Sequence, residues 1–203
     1  LDGGEGDDSI VSSDGKDSVT AGAGKDTIAA GLGKDTISAG AGDDQITLSA
    51  SDDFVTAGAD NDSITFGGTA KQTVYGGKGK DTFTYDAAAD LTFEDLIAGD
   101  SGEDVLVLST ADAAVADEDF STVTSVETFS LTGASAASLT HVFGAKAQTA
   151  GIRTIDLSDA TTQLGVVDAS AYTTGITLTA ADADLDDSLV GGSGAGRCDL
   201  VGS

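Results

Sequence analysis

The sequence predicts an all-β protein whose chain winds into stacked parallel coils, a β-roll, and then continues as an irregular β-solenoid. Three observations lead to this prediction: a nine-residue repeat in the first half, abundant glycine without proline, and one apolar residue at a fixed place in each repeat. The 203 residues include 28 Gly but no Pro, Met or Trp. Ordinary linkers mix Gly with Pro and Ser, so these glycines must serve a regular structure.

The repeat fills nine windows between Gly3 and Thr84, with Phe66 as one extra residue. Position six of the windows is acidic in all but one, and its residues are Asp8, Asp17, Asp26, Asp35, Asp44, Asp53, Asp62, Gln72 and Asp81. Position eight is always apolar, as Ile10, Val19, Ile28, Ile37, Ile46, Val55, Ile64, Val74 and Phe83. With 39% hydrophobic residues in the chain, nine such hits in one register would arise by chance about two times in ten thousand. The register is therefore real.

Each nonamer divides into a turn and a short strand. The Gly and Ala positions permit positive φ and close backbone approach, whereas Thr/Ser-Ile-Thr has the β-branched character of a strand. Three-residue strands are not stable alone, but stacked coils let each apolar side chain point into a thin shared core. The repeat therefore predicts a parallel β-roll with two nonamers in each coil.

The charge of the chain excludes some functions and implies a cationic partner. Nine Lys and Arg face 35 Asp and Glu, which gives a net charge of -26 and a pI near 4.1. Such a chain does not bind nucleic acid, and its self-repulsion calls for a stabiliser beyond the apolar core. Cys198 is the single cysteine and excludes an intrachain disulfide, and no apolar run is long enough to insert into a membrane.

The turns have the chemistry of a calcium site. A tight Gly turn exposes backbone carbonyls, and the Asp that follows adds charged oxygen, the hard and flexible ligand set that Ca²⁺ prefers. Stacking would place each Asp beside the Asp two windows later, so a cation between coils would remove their repulsion. Several bound Ca²⁺ ions are therefore the expected cofactor, whereas Asp residues that only form turns by bonding their own backbone are the simpler alternative.

Windows such as GGEGDDSIV and GGKGKDTFT resemble the RTX calcium-binding repeat, GGxGxDxUx. This resemblance implies a right-handed β-roll filled with Ca²⁺, in a protein secreted by a Gram-negative-type bacterium, unfolded in the cytosol and folding after export. We place the RTX β-roll at residues 1–90 and the irregular solenoid at residues 91–203. The chain begins inside a repeat, at Leu1-Asp2-Gly3-Gly4, so we expect it to be a piece of a longer protein.

The windows predict two columns of sites on opposite faces. The better preserved odd windows give an ordered column, here named the odd column, with Asp8, Asp26, Asp44, Asp62 and Asp81. The even windows give a weaker even column with Asp17, Asp35 and Asp53. Ser51 replaces a turn Gly and Gln72 replaces the acid, which makes the sites near Asp53 and in the eighth window doubtful.

Beyond Asp86 the nonamer becomes irregular. Residues 99–107 match it again with Asp104 at position six, and Asp187 takes this position in residues 182–190, so both are weaker candidate calcium ligands. Strands are expected at residues 126–131, 152–157, 165–168 and 176–179. One or two short outer helices are expected within residues 111–119 and 135–147. Asp182, Asp184 and Asp186 imitate an EF-hand loop, but the Gly and Glu that this loop requires are missing.

The remaining candidates have simpler interpretations. Lys16, Lys25, Lys34 and Lys80 share position five, where they relieve the acidic charge at the surface. His141, the only histidine, is expected to pack or to lie at the surface, and Cys198 has no motif that would make it catalytic.

The first functional hypothesis is a non-enzymatic, structural calcium-binding segment of an extracellular bacterial surface protein, an S-layer or similar lattice or filament. Its expected partners are further copies of itself, and a cell-surface polysaccharide is a second candidate. Two alternatives are the RTX region of a secreted protease or lipase, and the stalk of a large adhesin. The long second half, which reads as more solenoid, favours the structural hypothesis.

Overall fold

The computed structural model describes residues 1–86, 91–109, 114–132, 140–158, 166–180, 188–193 and 197–200. These residues form twenty short strands, one 3₁₀ helix and one α-helix, and the strands pair in parallel. The predicted all-β parallel solenoid is therefore confirmed. None of the described helices has the length or apolar character needed to cross a bilayer.

The strands build three sheets along the solenoid. The first sheet contains β1 (Asp2–Glu5), β3 (Ser18–Ala23), β5 (Thr36–Ala41), β7 (Phe54–Ala59), β9 (Thr73–Lys78), β11 (Leu96–Ser101) and β13 (Val123–Thr124). The second contains β2 (Ser9–Val11), β4 (Thr27–Ala29), β6 (Gln45–Thr47), β8 (Ser63–Phe66), β10 (Thr82–Tyr85), β12 (Val105–Leu108), β14 (Thr128–Leu131), β16 (Thr154–Leu157), β18 (Thr177–Ala180) and β20 (Arg197–Leu200). The third contains β15 (Thr140–Val142), β17 (Val166–Asp168) and β19 (Ser188–Val190).

Position eight of the odd windows forms a row of inward apolar side chains, the inner seam, in the second sheet. Ile28, Ile46 and Ile64 lie in successive coils in direct register, and the seam continues through Phe83 and Leu106. Each of these five side chains is at most 1% exposed. One apolar residue per strand therefore suffices, because its neighbours are the equivalent residues of the coils on either side.

Glycine in the turns is required by space as well as by conformation. Gly40 has a φ of 125°, and a Cβ added to it would overlap the carbonyl oxygen of Gly22 in the preceding coil. Gly102 has a φ of 156° and stands in the same relation to Gly79. The turns stack so closely that a side chain at these places would push the coils apart.

The second half keeps the ladder but changes the connections. The strands β14, β16, β17 and β18 agree with the predicted stretches to within about two residues at either end. The 3₁₀ helix (Asp117–Phe120) overlaps the end of the predicted segment 111–119.

The predicted helical segment 135–147 is partly wrong. Thr140–Val142 is strand β15, because the inward-facing His141 takes Val167 of β17 as its parallel partner. The short helix α1 begins only afterwards, at Ala145–Ala150. Residues 111–113 and 135–139 lie outside the described residues.

Candidate functional site

The acidic residues of the odd column form a continuous hydrogen-bonded ladder. The backbone N–H of Asp26 donates to Oδ1 of Asp44 at 2.8 Å, and the N–H of Asp44 donates to Oδ1 of Asp62 at 2.9 Å. The same bond joins Asp8 to Asp26, Asp62 to Asp81 and Asp81 to Asp104. Partners are 18 residues apart in regular coils, 19 in the coil that contains the extra Phe66, and 23 from Asp81 to Asp104. The ladder therefore places one carboxylate per coil in a single file.

The other carboxylate oxygen of each of these residues has no such partner. Within the described residues, Oδ2 is buried and without a hydrogen bond in the following Asp side chains: Asp8, Asp17, Asp26, Asp35, Asp44, Asp53, Asp62, Asp81 and Asp104. A buried, unpartnered carboxylate oxygen is costly, because nothing replaces the water it has lost. The donor set thus fits a cation, and its hard oxygen chemistry fits Ca²⁺.

Carboxylates alone do not complete such a site. In the part of the chain that is described, no three Asp, Glu, His or Cys side chains converge closely enough to hold a metal ion. Ca²⁺ takes six to eight oxygens, so backbone carbonyls of the glycine turns must provide much of the coordination. The repeat supplies both, because the turn and the position-six Asp lie next to each other in every window.

Burial makes the charged form of these side chains unfavourable without a counterion. It raises the pKa of Asp62 from the ordinary 3.8 to about 7, and the neighbouring charges of Asp81 and Asp44 add to the shift. Burial likewise raises the pKa of Asp104 to about 6, and it raises the pKa of Asp81. A divalent cation beside the column would remove both the desolvation cost and the mutual repulsion.

The even column has the same ladder over its first three residues. The N–H of Asp17 donates to Oδ1 of Asp35, and the N–H of Asp35 donates to Oδ1 of Asp53, both at 2.9 Å. Asp35 is fully buried, and burial raises the pKa of Asp53 to about 6. In geometry, these three positions match the odd column. The column changes at Gln72, whose side chain occupies the ladder position of the missing acid.

Two acidic residues at position six were missed by the sequence analysis. Asp95 accepts from the N–H of Gln72 at 2.8 Å, and Glu127 accepts from the N–H of Asp104 at 2.9 Å. Each stands two residues before an inward residue, Ile97 and Phe129 respectively. The turns before them lack the Gly frame, and only counting back from the apolar seam would have found them.

After Glu127 the acidic column ends. The next residues in the same register of the second sheet are Arg153 and Ile176, each of which directly precedes its strand. A cationic and then a buried apolar side chain cannot bind Ca²⁺. Among the described residues of the second sheet, the strand ladder thus continues beyond the last acid of this column.

The side chains of the other candidates take no part in the two acidic ladders. Lys16, Lys25, Lys34 and Lys80 form no ion pair within the described residues. His141 is 3% exposed, and its Nδ1 accepts from the N–H of Val115 at 3.2 Å, which places it in the core.

Two candidates fall near the end of the chain. Asp187 lies outside the described residues, as do Asp182, Asp184 and Asp186. Cys198 lies in β20, where its partner is Leu178.

Comparison with known proteins identifies the repeat. The family described as RTX calcium-binding nonapeptide repeat (4 copies) matches residues 2–37, 30–64 and 66–91. No curated protein and no solved structure matches the chain significantly. Repeats of this family bind several calcium ions in their turns and are typical of secreted proteins. Residues 2–91 therefore carry RTX calcium-binding nonapeptide repeats.

Proposed function

We propose that the chain is a structural, calcium-folded segment of a secreted bacterial surface protein, an S-layer or a similar extracellular lattice or filament, and that it catalyses no reaction itself. The observation that supports this most is the second sheet, one ladder of ten parallel strands from β2 to β20. The ladder passes from calcium-type turns to levels where Arg153 and Ile176 take the place of the acid, and it stays in register. Such an arrangement forms an extended, stiff rod.

The calcium ligands in this proposal are the buried position-six carboxylates together with turn carbonyls. We assign this role to Asp8, Asp17, Asp26, Asp35, Asp44, Asp53, Asp62, Asp81 and Asp104, and keep Asp187 as a candidate. The support is the unpartnered Oδ2 atom that the nine described residues share. At low calcium the stacked carboxylates repel one another, and at extracellular calcium the ions link each coil to the next.

Assembly would follow from the rigid rod. A solenoid presents strand edges at its ends and a long side, which favour end-to-end or lateral contacts between copies. Further copies of the chain are thus the expected partners, and a cell-surface polysaccharide is a second possible partner.

Sedimentation velocity tests the proposal, first in chelator and then in about millimolar Ca²⁺. We expect a slow, expanded monomer that becomes compact and then forms large assemblies as calcium rises. Compaction that stops at a monomer would refute the lattice role and favour a protease or lipase region or an adhesin stalk. An unchanged sedimentation coefficient would refute calcium-driven folding.

A pair of variants links the response to the ladder. Asp62→Ala removes the carboxylate, and it should raise the calcium concentration at the folding midpoint about tenfold, since a charge-assisted contact contributes roughly 1.5 kcal/mol or more. Asp14→Ala removes a carboxylate from an exposed turn residue and should leave the midpoint unchanged. Equal shifts in the two variants would mean that overall charge, and not the ladder, controls folding.

A further inference from the structure

Gln72 occupies the place of an acid in the even column without breaking the ladder. It is 1% exposed, its Oε1 accepts from the N–H of Asp53 at 3.1 Å, and its own N–H donates to Oδ1 of Asp95 at 2.8 Å. Its side-chain oxygen therefore accepts the same ladder hydrogen bond as Oδ1 of Asp35 and Asp53 in this column. The difference between Gln and Asp is confined to the second terminal atom.

This second atom, Nε2, is fully bonded. It donates to the carbonyl of Ser51 at 2.6 Å and to the carbonyl of Ser49 at 3.0 Å. These carbonyls belong to positions two and four of the turn one coil earlier. In Asp17, Asp35 and Asp53 of the same column, the equivalent atom is an oxygen without a partner among the described residues. An amide –NH₂ thus bonds the turn carbonyls, where elsewhere a carboxylate oxygen requires a cation.

The hydrogen bonds extend to the coils on both sides. In the coil before, the Ser49 hydroxyl donates to the carbonyl of Gly31 at 2.6 Å, and the N–H of Gly33 donates to the Ser51 hydroxyl at 3.0 Å. These two serines are the residues that replace glycine in the sixth window. The departures from the repeat at Ser49, Ser51 and Gln72 are therefore parts of one hydrogen-bonded network.

The coil after Gln72 is closed in a similar way. Oδ2 of Asp95 accepts from the N–H of Thr92 at 3.1 Å and from the Thr92 hydroxyl at 3.2 Å. The corresponding atom of Asp53 has no hydrogen-bond partner among the described residues. Both carboxylate oxygens of the buried Asp95 are thus satisfied by the protein itself.

We propose that the Gln72 amide takes the place of a calcium ion, so that this level of the even column binds no calcium and remains paired at calcium concentrations where the flanking Asp turns open. A cation could reach the Ser49 and Ser51 carbonyls only by displacing two hydrogen bonds, and it would find a neutral side chain there instead of a carboxylate. We name the group Ser49, Ser51, Gln72 and Asp95 the amide clasp. It joins neighbouring coils in the middle of the roll by hydrogen bonds that do not depend on calcium.

The amide clasp proposal depends on calcium binding by the flanking turns, which is part of the proposed function, and not on assembly. An experiment can therefore refute the clasp without refuting the lattice proposal, and the reverse. The first test counts bound calcium by equilibrium dialysis in saturating Ca²⁺. The variant Gln72→Asp should bind one ion more than the unaltered chain. The control Thr69→Asp adds the same charge to an exposed position of the same window and should bind no additional ion. An unchanged count in Gln72→Asp would overturn the proposal.

The second test needs no variant and remains valid if Gln72→Asp does not fold. Hydrogen exchange is followed in the unaltered chain while calcium is lowered by a chelator. The N–H of Asp53, which donates to Gln72, should stay protected after the N–H of Asp44, which donates to Asp62, has exchanged. Simultaneous exchange of the two amides, or earlier exchange at Asp53, would overturn the proposal.

Discussion

The two halves of the solenoid continue the same strand ladder but are stabilised differently. Up to β12, the coils carry buried acids at position six, and the core has one Ile or Val per strand in β4–β7, joined by Phe66, Phe83 and Tyr85 in β8 and β10. Beyond β12, Phe120, Phe129 and Phe143 form a cluster with ring centroids 5.0–5.9 Å apart. Larger apolar side chains thus replace the ionic stabilisation of the roll.

The connections of the second half also satisfy their own polar groups. Asp117 in the 3₁₀ helix accepts from the backbone N–H groups of Gly144, Ala147 and Lys146 at 2.7–3.1 Å. This carboxylate is thus used by the protein, whereas the nine described Asp residues assigned as calcium ligands each keep one unpartnered oxygen. Parallel coils can therefore be held together by metal ions or by side-chain hydrogen bonds and a thicker core.

Removal of calcium should separate the two halves most clearly. In chelator at pH 8, we expect amide protection to be lost through β1–β12 outside the amide clasp, because the stacked carboxylates of these coils repel one another. Protection should persist in β14 and β16, which pack against the Phe cluster. Hydrogen exchange with mass spectrometry measures both regions in one sample. Equal loss of protection in the two halves would mean that they form one calcium-dependent unit.

The next largest effect is expected from a cavity in the second half. Phe129→Ala should destabilise this half by about 3–5 kcal/mol, because the side chain is 2% exposed and contacts two other rings. The number of bound calcium ions should not change. Thermal denaturation and equilibrium dialysis measure the two quantities, and Phe93→Ala, at a 57% exposed position, is the control. A lower calcium count in Phe129→Ala would show that the roll depends on the second core.

The roll was predictable from sequence because most of its windows carry all three signals of the repeat. A turn Gly, a position-six Asp and a position-eight apolar residue recur every nine residues, and register follows from counting. Asp95 and Glu127 escaped because their windows retain the acid and the apolar residue but have no turn Gly. What remains visible there is the spacing of two residues between the acid and the inward side chain.

Contacts between distant residues were not predictable in the same way. Nothing near Asp117 in sequence indicates that it binds amides about thirty residues later, and the place of β15 depends on pairing with β17. Gln72 looked like a defect in the repeat, because the carbonyls that its amide binds belong to a turn more than twenty residues earlier. Such partners are set by stacking of the coils, which a local pattern does not contain.

Acidification without calcium should change the stability of the two halves in opposite directions. This effect should be smaller than that of calcium removal or of Phe129→Ala. In the roll, burial raises the pKa of Asp62 to about 7 and the pKa of Asp53 and Asp104 to about 6. The folded roll therefore binds protons more tightly than the unfolded chain does. Its stability in chelator should rise as the pH falls from 8 through these values, and the gain should be complete near the ordinary pKa of 3.8.

In the second half, burial lowers the pKa of His141 from 6.5, so the folded state disfavours the imidazolium ion. Stability of this half should therefore fall as the pH drops below 6.5, and His141→Gln should remove that loss because Gln does not titrate. Hydrogen exchange in chelator at pH 8 and pH 5, corrected for intrinsic exchange rates, measures both trends. Protonation reduces repulsion in the Asp columns, whereas it places a buried charge on His141. If the stability of both halves changed in the same direction between pH 8 and pH 5, the separation into metal-dependent and core-dependent stabilisation would be contradicted.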